Sequence, residues 1–241
     1  MNAVRSVIFL AGAVLVTAVF GILVPLGGVF GFRAAAATAR AYGAVILWWV
    51  EAACGIRHEV SGWENLPAGP AIVMAKHQSA WETIFMEARF PYQCWIVKKE
   101  LLWLPFVGWG LMAIRCIAID RKSGQNAREQ IVAQGARRLG EGIWVSIFPE
   151  GTRIAPGKRG RYGIGGALLA TRTGAPIVPM AHNAGEMWGR YSFIKKPGVV
   201  KVVIGKPIDP RGRDALSVNS EVEEWIEARM REISPELYAQ A

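Results

Sequence analysis

Cysteine is scarce in this sequence of 241 residues: there are three, Cys54, Cys94 and Cys116, an odd number at wide spacing. That excludes a disulfide framework or a CxxC pair and agrees with a reducing, cytoplasmic setting. All three read as small buried apolar residues. Histidine is as rare, also three, and no zinc-ligand spacing occurs, so no metal and no resident cofactor is expected. There is no Gly-x-Ser-x-Gly elbow, which removes the lipid-ester hydrolases built on one. No nucleic-acid-binding signature is found, and no nucleic acid partner is expected. Internal repeats and low-complexity linkers are absent too.

Acid is nearly missing from Arg153 to Arg213, where Glu186 and Asp209 stand alone among many Lys and Arg; the whole chain carries a net charge of +9. Such a field attracts nucleic acid, anionic lipid or an acidic carrier protein about equally. A second absence favours lipid. From Ser6 to Phe32 there is no charged residue, and Arg5 and Arg33 bracket the run. As a helix this run is roughly 40 Å long, ample for a hydrocarbon core of about 30 Å. Ala34–Ala37 looks cleavable, but a secretory h-region has only about 7–15 residues, so a retained membrane anchor is expected. The next apolar stretch, Ala41 to Val50 with Trp48 and Trp49, is too short to span alone. It suits an interfacial or re-entrant helix, with a core helix as the alternative. Spanning and one-leaflet embedding both remain open.

Beyond the anchor, short β-rich runs alternate with helical segments. Strands are expected at 72–75, 94–97, 116–119, 143–148, 177–178 and 199–204. Helices are expected at 80–88, after Ser123, at 165–173, and from about Glu221 to Ile233 behind a Ser220–Glu223 capping box. The alternation predicts an α/β fold, a layered mixed sheet flanked by helices, with an N-terminal two-helix membrane-anchoring element. Residues 1–55 would form the anchor helices and 56–241 the catalytic domain.

Three stretches carry chemistry. The first is Lys76-His77-Gln78-Ser79-Ala80-Trp81-Glu82. Five residues apart on one helix, His77 and Glu82 would lie about 140° apart. They meet if His77 ends the strand and Glu82 sits in the first helical turn behind a Ser79 N-cap. A carboxylate there accepts the Nδ1–H of His77 and leaves Nε2 free as a base. Ser-x-x-Glu is also a capping box, so Glu82 alone could be only a helix-start residue. The second stretch, Phe148-Pro149-Glu150-Gly151-Thr152-Arg153, ends the strongest strand, where ligands bind in open α/β sheets. Gly151 lets backbone approach a ligand, Thr152 adds a hydroxyl, and Arg153 offers a fork for phosphate. As a bare turn the same residues would be ordinary. The third runs from Lys98-Lys99-Glu100-Leu101 to Asp120-Arg121-Lys122, and it puts Lys99 and Arg121 at two further strand ends.

Taken in order, His-x4-acid, Lys-x-Glu-Leu with a later Asp-Arg, Phe-Pro-Glu-Gly-Thr-Arg and a Val-Pro strand, the chain resembles the glycerolipid acyltransferase family from about Leu66 to Pro207. The resemblance implies a histidine base at His77 paired with Glu82, where the family usually has Asp. It implies phosphate-binding cations at Arg121 and Arg153 with Lys99 a third, and Glu150 touching the acceptor or bracing the loop. Gly151 and Thr152 complete the substrate-binding block, and the strand Ile177-Val178-Pro179 helps to shape an acyl pocket. It further implies transfer of a fatty acyl group from acyl-CoA or an acyl carrier protein to the 2-hydroxyl of lysophosphatidic acid, giving phosphatidic acid for phospholipid synthesis. The oxyanion would be held near the Ser79 helix start or the Gly151 turn. Partners would be the bilayer, the lyso-lipid and the acyl donor, at the cytoplasmic face of a bacterial inner membrane. Another lyso-lipid acceptor, or a non-catalytic basic membrane-binding module, is the alternative.

Overall fold

The computed structural model describes residues 1–120 and 123–238. Two long helices come first, α1 (Asn2–Val29) and α2 (Phe32–Cys54). The second is longer than the apolar stretch 41–50 suggested, because the alanine-rich residues before it are helical too. The chain then alternates: β1 (Ile56–Ser61), β2 (Ile72–Ala75), α3 (Trp81–Arg89), β3 (Gln93–Lys98), α4 (Val107–Ala113), β4 (Ile117–Ile119) and α5 (Gln125–Gly140). It continues through β5 (Trp144–Ile147), α6 (Gly165–Thr173), β6 (Ile177–His182), α7 (Ala184–Met187), β7 (Gly198–Ile204), α8 (Ala215–Ile233) and α9 (Pro235–Tyr238).

The seven strands form one sheet in the order β1-β7-β6-β2-β5-β3-β4. Every pairing is parallel except β6 with β7, so the sheet is mixed, as expected. β2, β5 and β6 are buried at every position, in keeping with continuous apolar runs in a sheet covered on both faces. One side packs under α1, α2 and α3 through Ile46, Val50, Phe85 and Trp144. The other packs under α5, α6 and α8 through Ile131, Leu169, Val222 and Ile226. The α2–α3 approach is close: a Cβ on Gly43 would stand 3.0 Å from the Ala88 nitrogen and the Ile84 oxygen.

The last long helix starts earlier than Glu221. Asp214 is its cap, accepting from the Leu216 and Ser217 N–H groups, and Ser220 lies inside the helix with its hydroxyl on Glu224. Likewise α3 begins after Ala80 with no side-chain cap. Ser79 instead accepts the Trp81 N–H.

Candidate functional site

Register decides which residues meet. Met74 of β2 pairs with Ile147 of β5, and Ala75 pairs with Met180 of β6. Counting outward from these pairs, His77, Glu150 and His182 fall in one row at the carboxyl end of the sheet, where open α/β sheets place ligands.

His77 is held on every side but one. Its Nδ1 lies 2.8 Å from Glu82 Oε1. Its ring stacks on Phe148, centroids 3.9 Å apart with 10° between planes. Its N–H donates to Glu150 Oε2 at 2.9 Å, and its carbonyl accepts from the Ile154 N–H at 2.7 Å. The Nε2 makes no hydrogen bond among the described residues. Glu82 is fully buried and also accepts from the Gln78 and Ser79 N–H groups at 2.9 and 2.8 Å. The capping and pairing readings of Glu82 are therefore both true, because one oxygen serves the loop and the imidazole together. Burial alone would push its carboxyl up, but the His182 and His77 rings and the Ser79 N–H outweigh it and hold the pKa down. Behind it lies His182, fully buried, whose Nε2–H donates to the Lys76 carbonyl and whose Nδ1 accepts the Ala184 N–H. Burial lowers its pKa, against the opposing pull of the Glu82 carboxylate.

Two cavities reach His77 and Phe148. The larger, 730 Å³, lies between the N-terminal helices and α3, β3 and α4; Phe20, Tyr42, Trp95 and Leu111 give it an apolar wall, and Lys98 and Arg153 also line it. The smaller, 220 Å³, approaches from Ile131, Gly151 and Gly165. Of the expected cations, Arg153 is half-buried at the larger cavity. Lys99 is exposed and pairs with Asp120; its neighbour Lys98 lines the cavity instead. Lys98 is the last residue of β3 and Lys99 opens a short 3-10 turn, a distinction that placement at a strand end does not make. Arg121 lies outside the described residues. Gly151 turns with φ 65°, a conformation that favours glycine, and Thr152 is exposed. Glu150 is turned inward onto Lys76 and the His77 N–H, so it braces the loop. The Ser79 N–H donates to Glu82 and the Gly151 N–H to the Phe148 carbonyl, so neither of these two expected oxyanion donors is unoccupied. The thiol of Cys94 is pushed up to about 12 by burial, and Cys116 is raised by burial as well; neither offers a thiolate nucleophile.

Glu87, which also lines the larger cavity, was not singled out in the sequence. It accepts from Trp95 Nε1–H at 2.7 Å, and burial pushes its carboxyl to about 7 from an ordinary 4.5. Between those two values the unfolded chain has lost a proton that the folded chain keeps, so this residue's contribution to stability falls as pH rises. At about 1.4 kcal/mol per unit, Glu87→Gln gains roughly 3 kcal/mol over wild type at pH 8 and little at pH 4.5. Melting temperatures of the detergent-solubilised pair at pH 5 and pH 8 check this. An unchanged gap would show that Glu87 does not titrate in that window.

The family described as Acyltransferase matches residues 57–183. Among curated proteins, the 1-acyl-sn-glycerol-3-phosphate acyltransferase of Pseudomonas aeruginosa is 43% identical over 192 residues, covering 78% of this chain and 75% of that protein. The human 1-acyl-sn-glycerol-3-phosphate acyltransferase alpha is 33% identical over 132 residues, 54% of this chain and 47% of its own length. The crystal structure of the 1-acyl-sn-glycerophosphate (LPA) acyltransferase from Thermotoga maritima is similar in fold, with a TM-score of 0.79 over 97% of this chain and 96% of that one, at 22% identity.

Proposed function

The chain belongs to the acyltransferase family, and on that premise we propose that it transfers a fatty acyl group from an acyl thioester to the 2-hydroxyl of lysophosphatidic acid. The observation that carries this reading is the buried Glu82 carboxylate 2.8 Å from His77 Nδ1, beside an apolar cavity that Lys98 and Arg153 also line. In the reaction, His77 Nε2 takes the hydroxyl proton as the acceptor oxygen attacks the thioester carbonyl. Glu82 stabilises the imidazolium so formed. The tetrahedral intermediate collapses, the carbon–sulfur bond breaks, and the proton passes to the leaving thiolate. The product is phosphatidic acid, a precursor in phospholipid synthesis. Acyl-CoA and acyl carrier protein both fit a basic surface as donors, since each is an acidic thioester carrier.

The bilayer is the second part of the proposal. α1 has a mean hydropathy of 2.8 over 18 residues, of which 11% are buried, and it exposes Val7, Leu15, Val19 and Leu26. Trp103 and Trp109 beside α4 are exposed too, at 85% and 51%, and indoles suit the headgroup level. This reading puts the catalytic domain at the cytoplasmic face of a bacterial inner membrane. The intact protein should stay in the membrane fraction through a high-salt wash and need detergent for release. Release by salt alone would contradict it.

The acceptor is tested through Arg153. If its guanidinium reads phosphate, Arg153→Ala should lose several-fold to about a hundredfold in kcat/KM with lysophosphatidic acid. Monoacylglycerol, which lacks the phosphate, should be about equally poor with both enzymes. A mutant that discriminates between the two acceptors as well as wild type does would show that Arg153 does not read phosphate.

A further inference from the structure

Lys76 is a fully buried cation immediately before the catalytic histidine. A buried ammonium costs several kcal/mol unless it is paired and hydrogen-bonded, and here all three of its hydrogens have partners. Nζ lies 2.7 Å from Glu150 Oε1, 2.7 Å from Glu227 Oε1 and 3.2 Å from the Lys158 carbonyl. The same Glu227 oxygen accepts the Tyr162 hydroxyl at 2.9 Å, while the other oxygen of Glu150 accepts the His77 N–H. A continuous line of contacts thus runs from α8 through Lys76 and Glu150 to the main chain of His77. On the far side of His77, Gln78 Nε2 donates to the Tyr238 hydroxyl of α9 at 3.4 Å, and its Oε1 accepts from the Gly185 N–H at 3.2 Å.

Stability alone is a poor reason for this arrangement. α8 already buries Val218, Val222, Ile226 and Met230, and apolar replacement of a buried ion pair is often neutral or stabilising. What the cluster supplies is position. Side chains of consecutive extended residues point to opposite sides, so fixing the Lys76 side chain inward fixes His77 outward, toward the cavities. Misplacing a reacting group by about 1 Å can cost 10²-fold in rate.

We propose that α8 and α9, which lie beyond the matched residues 57–183, form a positioning element for His77, with Glu227 and Lys76 as its central residues. The proposal rests on the acyl-transfer reading for its rate effect but not for its geometry. Glu227→Ala should lower kcat about ten- to a hundredfold, with KM for both substrates within about twofold. Glu227→Gln, whose side-chain oxygen still accepts from Lys76 and Tyr162, should recover most of the loss. Apart from activity, the His77 ring resonance, assigned among three histidines by its absence in His77→Ala, should shift or broaden in Glu227→Ala and return in Glu227→Gln. Should Glu227→Ala fail to fold, Glu227→Met, which fills the vacated space and leaves the Lys76–Glu150 pair in place, carries the same expectation. A folded variant with wild-type kcat and an unmoved His77 resonance would overturn the proposal. So would a fall in kcat that merely tracks the unfolded fraction. A moving resonance in a protein without transferase activity would overturn the acyl-transfer reading and leave the positioning role standing.

Discussion

Turnover falls about 10²–10⁴-fold when His77 is replaced by alanine, the usual worth of a positioned general base. The substitution removes Nε2, the ring nitrogen without a hydrogen-bond partner among the described residues, and leaves the loop's main-chain contacts from His77 to Glu150 and Ile154 intact. The variant should therefore fold, lose the stack on Phe148 and bind lysophosphatidic acid with a nearly unchanged KM. Steady-state kinetics on protein checked by thermal melting decide the matter. Near-normal turnover in a folded His77→Ala enzyme would remove the general-base mechanism.

Glu82→Gln is the second large effect, and the structure makes it a clean one. The glutamine oxygen can still accept from the Gln78 and Ser79 N–H groups, so the loop before α3 keeps its shape. What is lost is the negative charge facing His77, and with it the stabilisation of the imidazolium, while the same oxygen still accepts the Nδ1–H. A fall of about 10²–10⁴ in kcat is expected here. If Glu82 served only to cap the helix start, Glu82→Gln would retain most of its activity. Glu82→Asp, which keeps the charge on a shorter arm, should retain substantial activity.

The contact between His77 and Glu82 was legible because its parts are local. His77 and Glu82 are five residues apart, and a strand end followed by a helix start leaves few ways for them to face each other. β2 was legible as an unbroken apolar run and β5 as one interrupted only by Ser146. β1 was not, because Ile56–Ser61 carries Arg57, His58 and Glu59 in a row, which breaks any apolar pattern and is tolerated because β1 is an edge strand. The start of α8 was misplaced because Ser220 and Glu223 satisfy a capping-box pattern, whereas the actual cap, Asp214, has Ser217 and no acid three residues on. The convergence of Lys76 with Glu227 could not be read at all: 151 residues separate them, and only the stacking of α8 on the sheet brings them together. A lysine ending a buried apolar strand was the one available signal, since such a charge must find a partner. Lys98, rather than Lys99, lines the cavity, because β3 ends at Lys98 and Lys99 begins the next turn, a boundary that the two adjacent lysines do not mark.

In the proposed reaction, His77 and Glu82 serve acyl transfer to a phosphate-bearing lyso-lipid. Its most direct test is the purified, detergent-solubilised chain given lysophosphatidic acid with a labelled acyl-CoA or acyl carrier protein thioester, and the lipid product identified by mass. Labelled phosphatidic acid, formed by wild type and reduced about 10²–10⁴-fold in the His77→Ala enzyme, is the predicted result. Free fatty acid as the sole product, or phosphatidic acid formed equally by both enzymes, would contradict it.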